Sequence, residues 1–179
     1  MKKIVLFMYL MGLSLCINAQ NFQEYLALFP DMSQDFTWTG ADLEKLRVAG
    51  KNIPPKFGKF IDNTGLVNEY RFPAGKLEVG GAVIIFYAEH SNGYQKNYDT
   101  QLHLHARTYN KKGEIIPGGI HNYLATNGEV PNRFSYSFEL IFNFKDKKLI
   151  IDQKATDAEM QNKTTYKISK KGLVFEKRE

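Results

Sequence analysis

Arg133-Phe134-Ser135-Tyr136-Ser137-Phe138-Glu139-Leu140-Ile141-Phe142-Asn143-Phe144 is the stretch whose reading decides the fold. Phe134, Tyr136, Phe138, Leu140, Phe142 and Phe144 alternate with Ser135, Ser137, Glu139 and Asn143. A period of two sends successive side chains to opposite faces of an extended chain, so this is a strand with one buried face and one wet face. Ile141 is the exception to the alternation. Lys145-Asp146-Lys147 then leads into a second apolar run, Leu149 to Gln153, and a connection that short forces an antiparallel hairpin.

The same logic extends in both directions. Asn110-Lys111-Lys112-Gly113 and Ser169-Lys170-Lys171-Gly172 share one turn chemistry, a polar capping side chain first and a glycine for the left-handed residue last. These turns predict that Tyr98 to Tyr109 pairs with Glu114 to Leu124, and Thr164 to Ser169 with Leu173 to Lys177. The glycine pairs Gly80-Gly81 and Gly118-Gly119 read as bulges or sharp bends. About eight strands follow one another from Leu66 onward, and strands of some twelve residues, roughly 40 Å long, must coil or close. The expected fold is α+β and mainly β: short N-terminal helices packed on a curved antiparallel sheet or a barrel-like meander.

The helices precede the strands. Asn21 and Glu24 read as a capping box, and Phe22, Tyr25, Leu26 and Phe29 follow the spacing of one helical face that Pro30 ends. Phe36-Thr37-Trp38 reads as a short extended piece. Thr39, with Asp42 three residues on, caps a second helix that carries Leu43 and Leu46 and that Gly50 closes. Pro54 and Pro55 open a short turn bearing Phe57, Phe60 and Ile61, before the loop Asp62-Asn63-Thr64-Gly65. Phe22, Leu26, Phe29 and Leu43 are expected to cover one open end or the concave face of the sheet.

Lys2 and Lys3, the apolar run Ile4 to Leu15 and the small residue Ala19 form the three-part pattern of a secretory signal peptide over residues 1–19. Residues 20–179 are then one domain, helical over 20–65 and antiparallel β over 66–179, periplasmic or extracellular. A lipoprotein signal through Cys16 ranks second, because Leu15 is large where a small side chain precedes such a cysteine. Cys16 is the only cysteine, so removing the leader removes disulfides, thiolate metal sites and cysteine nucleophiles together. The net charge of +5 falls by two when Lys2 and Lys3 are lost, and no basic run exceeds two residues. Nucleic acid is therefore not an expected partner, and no transmembrane span is expected after processing.

Candidate chemistry gathers on the four histidines. His103 and His105 are two apart on one strand and share a face with Gln101, Arg107 and Tyr109, which makes those three candidates for contact with a ligand. A zinc site needs three or four ligands, and His90 and His121 are the imidazoles that neighbouring strands could add. The His-x-His pair resembles that of cupins, but the acid expected soon after it is missing, Glu114 lying beyond the turn. The plainer alternative is a solvated strand face. No Gly-x-Ser-x-Gly, His-Glu-x-x-His, phosphate loop or dinucleotide fingerprint occurs. Glu78, Glu89, Asp99 and Glu139 are the strand acids available to a carboxylate pair, and Asn162-Lys163-Thr164 fits a glycosylation acceptor.

Aromatic side chains on inward faces either line a cavity or form core. Together these features predict an exported, non-enzymatic binding module for a small molecule, an envelope component or a protein, without a cofactor. A metal-dependent hydrolase using the histidine face is the first alternative. An inhibitor or immunity-type partner protein, marked by a protruding loop such as Ser91 to Asn97, is the second.

Overall fold

The computed structural model describes residues 21–61, 70–91, 101–130, 134–156 and 161–179. The leader and Cys16, the loop Asp62 to Gly65, Asp99 and most of the Ser91 to Asn97 loop lie outside them. Residues 21–26 form helix α1. Strand β1 (Phe36–Thr39), helix α2 (Gly40–Ala49), a 3-10 turn (Pro55–Phe57) and helix α3 (Gly58–Ile61) follow. Eight strands complete the chain: β2 (Tyr70–Val79), β3 (Ala82–Ser91), β4 (Gln101–Tyr109), β5 (Ile115–Val130), β6 (Phe134–Asn143), β7 (Lys148–Ala155), β8 (Gln161–Ser169) and β9 (Gly172–Arg178).

Strands β2 to β9 pair in sequence order, all antiparallel, and β1 adds to β6. The end strands β2 and β9 do not pair with each other, so the curved sheet stays open and is not a barrel. The turns form as their chemistry dictates. Asn110 Oδ1 accepts the Lys112 and Glu114 amides at 2.8 and 3.2 Å, Ser169 Oγ accepts the Lys171 amide at 3.0 Å, and Gly113 and Gly172 have φ of 80° and 84°. Gly80-Gly81 makes the two-residue β2–β3 turn rather than a bulge.

Strand β5 is longer than the expected Glu114 to Leu124, and its extra length is what bends the sheet. It pairs with β4 up to Asn127 and with β6 only through Gly128, Glu129 and Val130. Two register shifts interrupt the β4 ladder, one opposite Arg107 to Tyr109 that holds Gly118-Gly119, and one opposite Leu104 to Ala106 that holds Asn122, Tyr123 and Leu124. Bulges increase local twist, and here they fold the sheet so that its two halves face each other.

One core fills the space between the halves. Phe72, Leu77, Ile84, Phe86, Leu102, Leu104 and Ala106 from the first half meet Phe138, Leu140, Phe142, Leu149, Ile151, Ile168 and Leu173 from the second, with Leu43 of α2. A second core lies on the outer face of β3 and β4, where Val83, Ile85, Tyr87 and Tyr109 receive Phe22, Tyr25, Leu26 and Phe29 with Phe57, Phe60 and Ile61. The helices therefore split between two faces instead of covering one: Leu43 is inside, and α1 is outside. This burial on both sides is why β3 reads as a continuous apolar run.

Local details correct two expectations and bear out a third. Asn21 lies within α1 rather than capping it, and Glu24 instead meets Lys56 at 3.1 Å. Phe144, placed with the buried set by alternation, is exposed because β6 ends at Asn143 and the chain turns there. Thr39 does begin α2: its amide and its hydroxyl both donate to Asp42 Oδ2 at 3.0 Å, and Gly50 closes the helix at φ 65°.

Candidate functional site

The polar face of β4 continues the outer core along the strand, so its histidines are buried and not solvated. Pairing places Glu89 and Thr126 beside His103, and Tyr87 beside His105. Cross-strand neighbours share a face, which brings Glu89, His103, His105 and Arg107 into one column, all less than a tenth exposed. Glu89 Oε2 accepts from Arg71 Nε at 2.7 Å, and its Oε1 stands 3.8 Å from His105 Nε2. His103 Nδ1 and Thr126 Oγ1 are 3.1 Å apart. Arg107 donates to Asn122 Oδ1 at 2.8 Å and to the Ala106 carbonyl at 2.9 Å, with its guanidinium over the Tyr87 ring at 5.5 Å.

His105 is the unusual member. Its ring stacks on Tyr87 with centroids 5.0 Å apart and planes 7° from parallel, and neither ring nitrogen makes a hydrogen bond. Burial lowers its pKa to about 4, against the partial opposition of the Glu89 carboxylate, so the imidazole is neutral at pH 7. Tyr123 closes over the pair: its ring lies 4.8 Å from that of His103 and 5.1 Å from that of His105. It is 62% exposed and holds φ at 53°, a conformation that a bulky L residue adopts only under strain.

The four histidines do not converge. His90 pairs with Leu102 and His121 with Ala106, both inner-core positions, so they occupy the opposite face from His103 and His105. The His121 ring meets Tyr166 of β8 at 5.8 Å, and His90 sits near Glu44 and Arg47 of α2. Among the described residues no group of three or more His, Cys, Asp or Glu side chains could hold a metal ion. Adding His90 and His121 to the pair by strand adjacency is thus corrected by parity, because each stands on an inward position. Of the residues expected to face a ligand, Gln101 is half-buried at the start of β4, and Arg107 is taken up by Asn122 and Ala106. Tyr109 is fully buried, its hydroxyl donates to the Phe60 carbonyl, and burial pushes its pKa up. Glu78 and Glu139 are exposed and on different halves.

A cleft of about 220 Å³ opens instead between the halves, beside the Tyr123 bulge. Its lining comes from β5 (Tyr123, Leu124, Thr126), β6 (Tyr136), β7 (Ile151, Gln153), β8 (Asn162, Thr164) and β9 (Arg178). Gln153 builds the wall: its amide takes the Thr126 N–H at 2.8 Å and donates to the Thr126 and Ser137 carbonyls at 2.9 and 2.8 Å. It substitutes for a β6 partner on the edge of β5 away from β4, because β5 reaches β6 only at Gly128. Thr126 thereby joins the two regions, its backbone held by Gln153 and its hydroxyl beside His103.

Sequence reasoning missed this cleft. Its trace is that the inward positions turn polar at one end of the second half: Ile151 is followed by Gln153, and Ile168 and Tyr166 are preceded by Thr164 and Asn162. Asn162, which reads as a glycosylation acceptor, is half-buried in this lining. No helix among the described residues is long and apolar enough to cross a membrane. Comparison with family models, curated proteins and solved structures finds no match to the chain.

Proposed function

We propose that the chain is an exported, non-enzymatic binding module that takes a small molecule into the cleft between its sheet halves. The observation that carries this reading is the cleft itself, where polar side chains stand on inward strand positions over the apolar floor of Leu124 and Ile151. Polar groups converging on one concavity give a binding site its orientation and specificity. Tyr123 supports the reading too, because a strained, exposed aromatic at a bulge is kept against its conformational cost. Export rests on the leader pattern of residues 1–19.

The test is native mass spectrometry of protein recovered from a periplasm, followed by the same sample denatured. The expected result is a mature chain beginning at Gln20 with extra mass that denaturation removes and that Asn162→Trp, which fills the cleft, abolishes. A bare wild-type mass, or an adduct indifferent to Asn162→Trp in a variant that keeps its far-UV circular dichroism, overturns the reading.

A second reading, a partner-binding protein of the inhibitor type, is favoured by one observation: edge strand β9 exposes Val174 and Phe175, the latter at 57%. Phe175→Ser lowering partner capture while leaving the cleft adduct intact would move weight to it.

A further inference from the structure

We infer that the cleft accepts a single hydroxyl-rich ring bearing a carboxylate, the chemistry of an acidic monosaccharide. This deepens the small-molecule reading above and rests on it.

Size comes first. About 220 Å³ corresponds to roughly seven waters at about 30 Å³ each and lies below the 300 Å³ or so at which drug-sized pockets begin. That volume suits one ring. Charge comes second. Among the described residues of the lining Arg178 is the only charged side chain; it is exposed, and its Nε donates to Thr164 Oγ1 at 3.2 Å. That bond anchors the guanidinium on β8 and leaves its two terminal nitrogens without a hydrogen bond or ion pair from the described residues. A planar fork of free N–H groups matches a carboxylate in a way a point charge does not.

The neutral groups then select the rest of the ligand. The Asn162 side chain makes no hydrogen bond to the described residues, so it offers both a donor pair and an acceptor, which a hydroxyl can use from either side. Gln153 is not available, since its amide is committed to Thr126 and Ser137. Tyr123 and Tyr136 supply aromatic surface with a polar tip, suited to the mixed C–H and O–H surface of a pyranose. A neutral sugar would leave the Arg178 fork unmatched, and an aliphatic diacid would leave Asn162 and the tyrosines unused.

The experiment is isothermal titration calorimetry of the full exported chain with sodium glucuronate, glucose and succinate. Glucuronate is expected to bind about twofold to fivefold tighter than either of the others. Arg178→Gln should weaken glucuronate by about twofold to fivefold, the range for a solvent-exposed ion pair, without changing glucose. Arg178→Lys should fall between, and Lys177→Gln, the adjacent position on β9 and absent from the lining, should change nothing. Equal affinity for glucuronate and glucose, no binding of glucuronate, or full affinity in Arg178→Gln each overturns the inference. If native mass spectrometry still shows an adduct that Asn162→Trp removes, only the ligand class falls and the binding reading stands.

Discussion

Acidification should destabilise this protein through His105 in a way that one substitution can isolate. The imidazole is held neutral by burial, with a pKa of about 4 in the fold against an ordinary value of 6.5. Between those values the unfolded chain takes up a proton that the folded chain refuses, so stability rises with pH across that window and is lost as pH falls through it. At about 1.36 kcal/mol per pKa unit, the full difference is about 3 kcal/mol, and the part lost between pH 7 and pH 5 is about 2 kcal/mol. The groups that face the ring are Tyr87 and Glu89 from β3, Arg71 from β2, His103 and Arg107 from β4, and Asn122 and Tyr123 from β5. His90 and His121 are also displaced downward by burial and add to the slope in the same direction. The assay is therefore a difference: urea unfolding of wild type and His105→Gln at pH 7, 6 and 5. His105→Gln lowers stability at pH 7 by losing the Tyr87 stack, but its stability should fall by about 2 kcal/mol less on going to pH 5. Parallel pH dependences in the two proteins would refute the buried neutral imidazole.

Other substitutions probe the fold and the cleft wall. Phe138 is 5% exposed between the halves, and Phe138→Ala should cost about 3 to 5 kcal/mol in urea unfolding. Gly172 combines φ of 84° with an ideal Cβ position 2.4 Å from Thr108 Oγ1, whereas Gly50 has φ of 65° and open space around it. Gly50→Ala should therefore cost about 1 kcal/mol, and Gly172→Ala clearly more, by thermal melting. Gln153→Leu should leave the Thr126 N–H and carbonyl without partners, cost about 1 to 3 kcal/mol and speed amide exchange at Thr126.

The period-two run in β6 and the turn chemistry at Asn110 and Ser169 are local features, and they sufficed for antiparallel hairpins in the right order. Phe22, Tyr25, Leu26 and Phe29 were legible as one buried helical face for the same reason, since helix periodicity needs no knowledge of the partner surface. What was not legible depended on how far the sheet bends. Nothing local in Asn122-Tyr123-Leu124 announces a bulge, because tyrosine is an unusual occupant of positive φ, so the sequence pattern ends β5 too early and does not show the sheet's two halves. From that omission the site errors follow. Without the Tyr123 bulge that closes over the pair, His103 and His105 look like a wet stripe, and without the fold-over, Gln153, Asn162 and Arg178 have no reason to meet.

Strand β1 has a consequence for the order of assembly. It lies on β6, and beside it the Phe144 amide donates at 2.7 Å to Asp35 Oδ1, a carboxylate 109 residues earlier in the chain. Contacts between such distant segments carry a large loop-closure cost and form late, whereas the β6 to β9 meander is built from neighbours joined by short turns. Strand β1 must therefore wait for β6, whereas α1 needs only β3 and β4, on whose outer face Phe22, Tyr25, Leu26 and Phe29 pack. A chain emerging from its N-terminus, whether from a ribosome or through a narrow pore, could assemble α1 on β3 and β4 first, and would hold β1 unpaired until β6 had followed.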